Sequence, residues 1–199
     1  MSSNSFVYDW HGIRWFCELG NEDYSAGGYW DFERGRWLYY TQRAEGHNAI
    51  VINPDGEPDQ YIYATASVDA VDDTTGVVDI TKAYPDLRCG TREFSLNDDI
   101  AVIEDELNLN NDATIYWFMH TDADVKITGE NTALLTKNGS SVSVEFELPE
   151  GAELSIMDAK PLFPELSFST STLNGIKKIC VRVSGNGKIS LVTKIIPQK

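Results

Sequence analysis

VSVEFELPEGAELSIMDA, residues 142–159, decides the fold class. Val142, Val144, Phe146 and Leu148 alternate with polar partners, Pro149 to Ala152 turn the chain, and Leu154 and Ile156 resume the alternation. A period of two places every second side chain on one face, which is the signature of a half-buried strand. The reading is two strands and a turn, a β-hairpin. TREFSLNDDIAVIEDEL (91–107) repeats the pattern, with Asn97-Asp98-Asp99 as the turn. KKICVRVSGNGKISLVTKII (177–196) repeats it again, Ser184 to Gly187 supplying residues that tolerate positive φ.

Tyr61, Tyr63, Tyr116, Trp117 and Phe118 also lie in strand-like runs, and helical spacing is never sustained. Hairpins in such number predict an all-β fold, a multi-stranded antiparallel β-sandwich. A soft joint is expected at 121–129, after which aromatics become scarce and a smaller C-terminal sandwich could begin.

The chain has 199 residues, 42% of them hydrophobic, enough to bury a core. Sixteen basic against thirty-one acidic residues give a formal charge of −15. That charge repels phosphate backbones and anionic membrane surfaces, so neither nucleic acid nor membrane is an expected partner. The exception is the segment 174–199, where Lys177, Lys178, Arg182, Lys188, Lys194 and Lys199 stand without an acid, as a solvated basic face. Cys17, Cys89 and Cys180 are scattered and odd in number, which excludes a cysteine zinc cluster and predicts buried apolar cysteines. There is no apolar run long enough to span a bilayer and no secretory leader; compartment is left open.

Chemistry is concentrated in the first fifty residues. Trp10, Trp15, Trp30 and Trp37 crowd there with Tyr8, Tyr24, Tyr29, Tyr39 and Tyr40, as core or as a sugar-binding groove. GNEDYSAGGYWDFERGRW (20–37) reads as a long functional loop that presents Tyr24 and Trp30. His47, in AEGHNAIVIN, precedes a strand, and Asp9, His11 and Glu18 are the donors that could join it in a metal site. Asp9 and Glu18 are an odd interval apart and would face opposite ways on one regular strand. Arg14, Arg36 and Arg43 could give a local positive patch, and His120 reads as a satisfied strand-end histidine.

NSFVYDWHGIRWFCELGNEDY (4–24), RWLYYTQRAEGHNAIVIN (36–53) and ITKAYPDLRCGTREF (80–94), taken in order, resemble the C-terminal β-domain of heparinase II/III-like polysaccharide lyases. That resemblance implies a supersandwich-like domain across residues 1–199 that partners an N-terminal helical toroid and acts on acidic, uronic-acid polysaccharides by β-elimination. It implies that Glu18 and His47 are metal ligands in zinc-bearing members. In a complete lyase, Arg36 and Arg43 near the matched stretches could supply positive potential to a polyanion, and the aromatic loop offers Tyr24 and Trp30 as substrate-binding residues. The family commonly has aspartate where Glu18 stands, and a His-x-His motif upstream of the strand that here starts at Asn4. This chain contains neither that motif nor the toroid with its tyrosine acid. The expectation is therefore a chain that folds, holds zinc weakly or not at all, and does not cleave alone. Non-catalytic carbohydrate binding and a purely scaffolding role are the alternatives.

Overall fold

The computed structural model describes residues 4–55, 57–169 and 173–198. Among the described residues, fourteen strands form three antiparallel sheets. A small hairpin pairs β1 (Tyr8–Trp10) with β2 (Ile13–Phe16). The largest sheet has the order β4-β5-β6-β7-β14-β11-β10-β9, and the third β12-β13-β8-β3. Their members are β3 (Ile50–Ile52), β4 (Ser67–Ala70), β5 (Thr75–Asp79), β6 (Leu87–Asn97), β7 (Ile100–Leu109), β8 (Ala113–Thr121) and β9 (Asp124–Gly129), followed by β10 (Thr132–Lys137), β11 (Ser140–Glu147), β12 (Glu153–Asp158), β13 (Lys177–Gly185) and β14 (Lys188–Gln198).

The core lies between the two large sheets. Val78, Ile103, Leu107, Val142, Val144 and Ile195 from the eight-stranded sheet meet Ile50, Ile115, Trp117, Ile179, Val181 and Val183 from the four-stranded one. Each set is the apolar half of a period-two pattern, so the alternation is the cause of the sandwich. The antiparallel β-sandwich is as the sequence indicates.

Two of the three expected hairpins are something else. β11 belongs to the eight-stranded sheet and β12 to the four-stranded one, so residues 148–152 carry the chain across the sandwich. β13 and β14 are likewise in opposite sheets, joined through Asn186-Gly187. Of these three, the turn between β6 and β7 is the one that closes a paired hairpin, with Asp98 and Asp99 at φ 48° and 71°. An arch between facing sheets and a hairpin within one both aim alternate residues at the same core, so their local patterns coincide.

The stretch 121–129 is no boundary. β13 pairs with β8 and β14 with β7, so the C-terminal strands complete sheets that the N-terminal strands begin. Tyr61 and Tyr63 stand outside any strand and are exposed. The basic segment is largely paired: Lys177 with Asp158 at 2.6 Å, Lys194 with Glu147 at 2.5 Å, and Lys178 buried against Glu45; Lys199 lies outside the described residues. Cys180 is buried, but Cys17 is half-buried and Cys89 exposed, against the expectation for both.

Candidate functional site

The residues from Tyr39 to Ala49 fold over the outer face of the four-stranded sheet and deliver His47 to its rim. Two short 3-10 turns, Gly35–Leu38 and Ala44–Gly46, shape this segment. Gly46 is obligatory, because a Cβ there would sit 2.0 Å from the Tyr40 carbonyl oxygen. Beneath the segment, Ala44, Ala49, Val51, Phe118 and Cys180 form a second apolar cluster. Glu45, fully buried, accepts from Lys178 Nζ at 2.9 Å and from the Leu162 amide at 2.5 Å. Lys178 Nζ also donates to the Lys160 carbonyl at 2.8 Å and lies 4.5 Å from the Phe118 ring centroid. Burial pulls the Lys178 ammonium down from its ordinary value, while the Glu45 carboxylate opposes that shift.

Asn48 organises the site, a role that spacing did not reveal. Its Nδ2 donates to the carbonyls of Phe6 (2.7 Å) and Cys17 (3.2 Å), and its Oδ1 accepts the His120 amide at 2.6 Å. Its own amide donates to Ser5 Oγ at 3.1 Å, and its carbonyl accepts from Arg92 Nη1 at 3.0 Å. One side chain thus ties together the N-terminal segment, the chain leaving β2 and the end of β8. Arg92, also fully buried, grips Asp105 with two bonds of 2.7 and 2.9 Å, and Trp117 Nε1 donates to the same carboxylate at 2.8 Å.

This frame sets Glu18 against His47. Ser5 Oγ donates to Glu18 Oε1, and His47 Nδ1 meets Glu18 Oε2. A carboxylate on Nδ1 fixes the imidazole's tautomer and leaves Nε2 as the basic nitrogen, available to a proton or a metal ion. The side chains are 35% and 19% exposed, so solvent and ligands reach the pair. His120 lies behind it, wholly buried. Its Nδ1 faces Asn48 Oδ1 at 3.3 Å and its Nε2 faces Tyr40 Oη at 3.0 Å, which requires Nδ1–H and a donating tyrosine hydroxyl. Burial holds His120 well below the usual histidine range and Tyr40 well above the usual phenol range.

Asp9 and His11 do not join the site. The strand ends between Asp9 and Glu18: Asp9 pairs with Arg14 across the β1–β2 hairpin at 2.9 and 2.7 Å, and His11 occupies its turn at φ 50°. Arg14 is spent in that pair. Arg43 is also no ligand-facing charge; it is 3% exposed and paired bidentately with Asp59. Arg36 lies 4.1 Å from the centroid of Tyr29 and near Phe32 and Trp37. Tyr24 and Trp30 are exposed, as the loop reading implies, with rings 6.0 Å apart and tilted by 46°. The remaining aromatics divide: Tyr8, Trp15, Tyr29, Tyr39 and Tyr40 are core.

Among the described residues no third histidine, cysteine or carboxylate joins Glu18 and His47 in a metal-binding group. Two donors are half of what tetrahedral zinc takes, so these residues by themselves do not fit a resident zinc.

The family described as heparinase II/III-like, C-terminal, matches residues 1–190. The chain belongs to this family. Its fold is shared with heparan sulfate lyase HepC from Pedobacter heparinus, at 12% identity and a TM-score of 0.74, covering 100% of this chain and 30% of that one. A crystal structure of heparinase III superposes at 16% identity and a TM-score of 0.71, covering 98% and 29% of the two chains. The heparinase-like chain thus spans less than a third of the length of the enzymes it matches. None of the curated proteins matches it.

Proposed function

We propose that this heparinase-like chain is the C-terminal β-domain of a polysaccharide lyase that cleaves uronic-acid-containing polysaccharides by β-elimination, working beside an N-terminal helical toroid. The observation that carries the reading is the meeting of Glu18 and His47, far apart in sequence, on a buried frame built for them around Asn48. The reaction needs the C5 carboxylate neutralised, the C5 proton removed and the leaving oxygen protonated. The described residues offer one basic nitrogen at this rim, so the chain supplies one wall of the cleft and does not cleave by itself. Tyr24, Trp30 and Arg36 form the substrate-facing loop in this reading. Their tilted rings suit a cleft wall or a domain contact better than a flat sugar platform.

Zinc belongs to the same proposal only as a weakly held ion whose first protein ligands are Glu18 and His47. Elemental analysis of the chain after dialysis is expected to find well under one zinc per chain; a stoichiometric content overturns that part. For the activity, the ultraviolet absorbance of unsaturated uronate should appear with one of a panel of uronic-acid polysaccharides when the domain is joined to a family toroid, and vanish in His47→Ala. Release of product by the 199-residue chain alone refutes the division of labour. No product in the joined form favours the scaffolding or non-catalytic carbohydrate-binding readings.

A further inference from the structure

A second pocket, unrelated to the Glu18–His47 pair, lies where three tight turns converge. Its lining includes Trp10, His11, Asp99, Ser140, Ser141 and Gln198. The turns are His11-Gly12, Asp98-Asp99 and Asn138-Gly139, each with both central residues at positive φ. Such turns are stiff and hold their flanking side chains in place before any ligand arrives. The turn between β1 and β2 puts an imidazole where asparagine or aspartate is the usual choice. That imidazole stacks on the indole of Trp10, ring centroids 4.0 Å apart and planes within 12°. His11 is exposed and Trp10 half-buried, so the imidazole is the outer ring of the stack.

Around this flat double ring stand groups with unused hydrogen-bonding capacity. Among the described residues the hydroxyls of Ser140 and Ser141 and the carboxylate of Asp99 make no hydrogen bond, although the Asp99 carbonyl accepts from Tyr8 Oη at 2.8 Å. Gln198 Nε2 donates to Ser143 Oγ at 2.9 Å and to the Ile196 carbonyl at 3.2 Å, leaving its oxygen free to accept. A flat apolar surface with hydroxyls, an amide and a carboxylate at its rim matches a sugar ring, which has an apolar C–H face and an equatorial belt of hydroxyls. The Asp99 carboxylate and the chain's charge of −15 disfavour an anionic ring here.

We propose that this pocket binds a pyranose with uncharged substituents, a neutral or N-acetylated hexose unit, stacked on the His11 ring that Trp10 backs, with its hydroxyls on Ser140, Ser141 and Asp99. It goes beyond the lyase reading and does not depend on it, because no residue of the Glu18–His47 site takes part.

The test is a nitrogen-edited NMR titration of the 199-residue chain with cellotetraose, tetra-N-acetylchitotetraose and tetragalacturonate. Saturable shifts of the Trp10 indole N–H and the Ser140 and Ser141 amides are expected with one or both uncharged probes. His11→Asn keeps a residue that accepts the left-handed turn but removes the ring, and should weaken binding about tenfold. Ser141→Ala gives a second, milder variant that does not touch the turn. Absence of shifts at these residues, equal binding by His11→Asn, or a preference for tetragalacturonate there would each overturn the proposal. Shifts confined to residues 24–37 would do so too, by placing the saccharide on the aromatic loop.

Discussion

Gly46, His47 and Asn48 show how closely spaced residues divide the labour of a site. Gly46 lets the backbone pass the Tyr40 carbonyl, Asn48 joins three segments, and His47 between them is the residue that solvent reaches. Gly46→Ala should destabilise the chain by about 2–4 kcal/mol in urea unfolding, since the clash is with rigid backbone rather than with a movable side chain. A change below about 1 kcal/mol would mean that the segment relaxes freely. Lys178 and Glu45 test the buried polar layer beneath. Lys178→Met strands a buried carboxylate and should cost about 3–5 kcal/mol, whereas Glu45→Gln combined with Lys178→Met should recover a substantial part of that loss. Equal stability of the single and double variants would show that the ion pair carries no coupling. His47 and Glu18 were legible as candidates because the family pattern marks them. Asn48 was not, because an asparagine's partners come from positions 5, 6, 17, 92 and 120, and no local spacing encodes them.

Elements are where sequence reading was strongest for type and weakest for partner. Every strand of the β11–β12 and β13–β14 pairs is present, yet each pair is divided between the two sheets. Turn chemistry helps only where the backbone conformation is demanding. Asp98-Asp99 holds both residues left-handed and closes the β6–β7 hairpin in register from Asn97↔Ile100 onward. L-residues are strained in that conformation, and glycine is not. Asp99→Gly should therefore stabilise the chain by about 0.5–1 kcal/mol. Thermal and urea unfolding check this, and a loss of stability would indicate that the Asp99 side chain is engaged in the fold.

At the scale of the whole molecule, the acidic surface and the buried polar layer respond to pH in a calculable direction. His120 is buried beside Asn48, Tyr40 and Lys178, with its protonated form disfavoured first by burial and then by Lys178 and His47. Its folded pKa lies below the unfolded value of about 6.5, so below that pH the unfolded chain binds the proton and the folded chain does not. Stability is thus complete above about pH 6.5 and falls as pH drops toward the folded pKa, by up to about 1.4 kcal/mol per pH unit. Urea midpoints between pH 7 and 5 should show this slope, and His120→Gln should flatten it. An unchanged slope in the variant would assign the acid sensitivity to the carboxylates instead.

The strand content, the two-faced pattern that makes a sandwich, and the Glu18 and His47 candidates were all present in the order of residues. Which strands pair, that Arg43 is sealed against Asp59 while Tyr24 and Trp30 stay exposed, and that Asp9 is spent on Arg14 emerge from the folded chain alone. The reason is one of range. Alternation and turn propensity are local, and they read the same whether a chain doubles back within one sheet or arches to the facing one. Burial, ion pairing and the assembly of a site depend on residues dozens of positions apart, brought together only when the two sheets close on a common core.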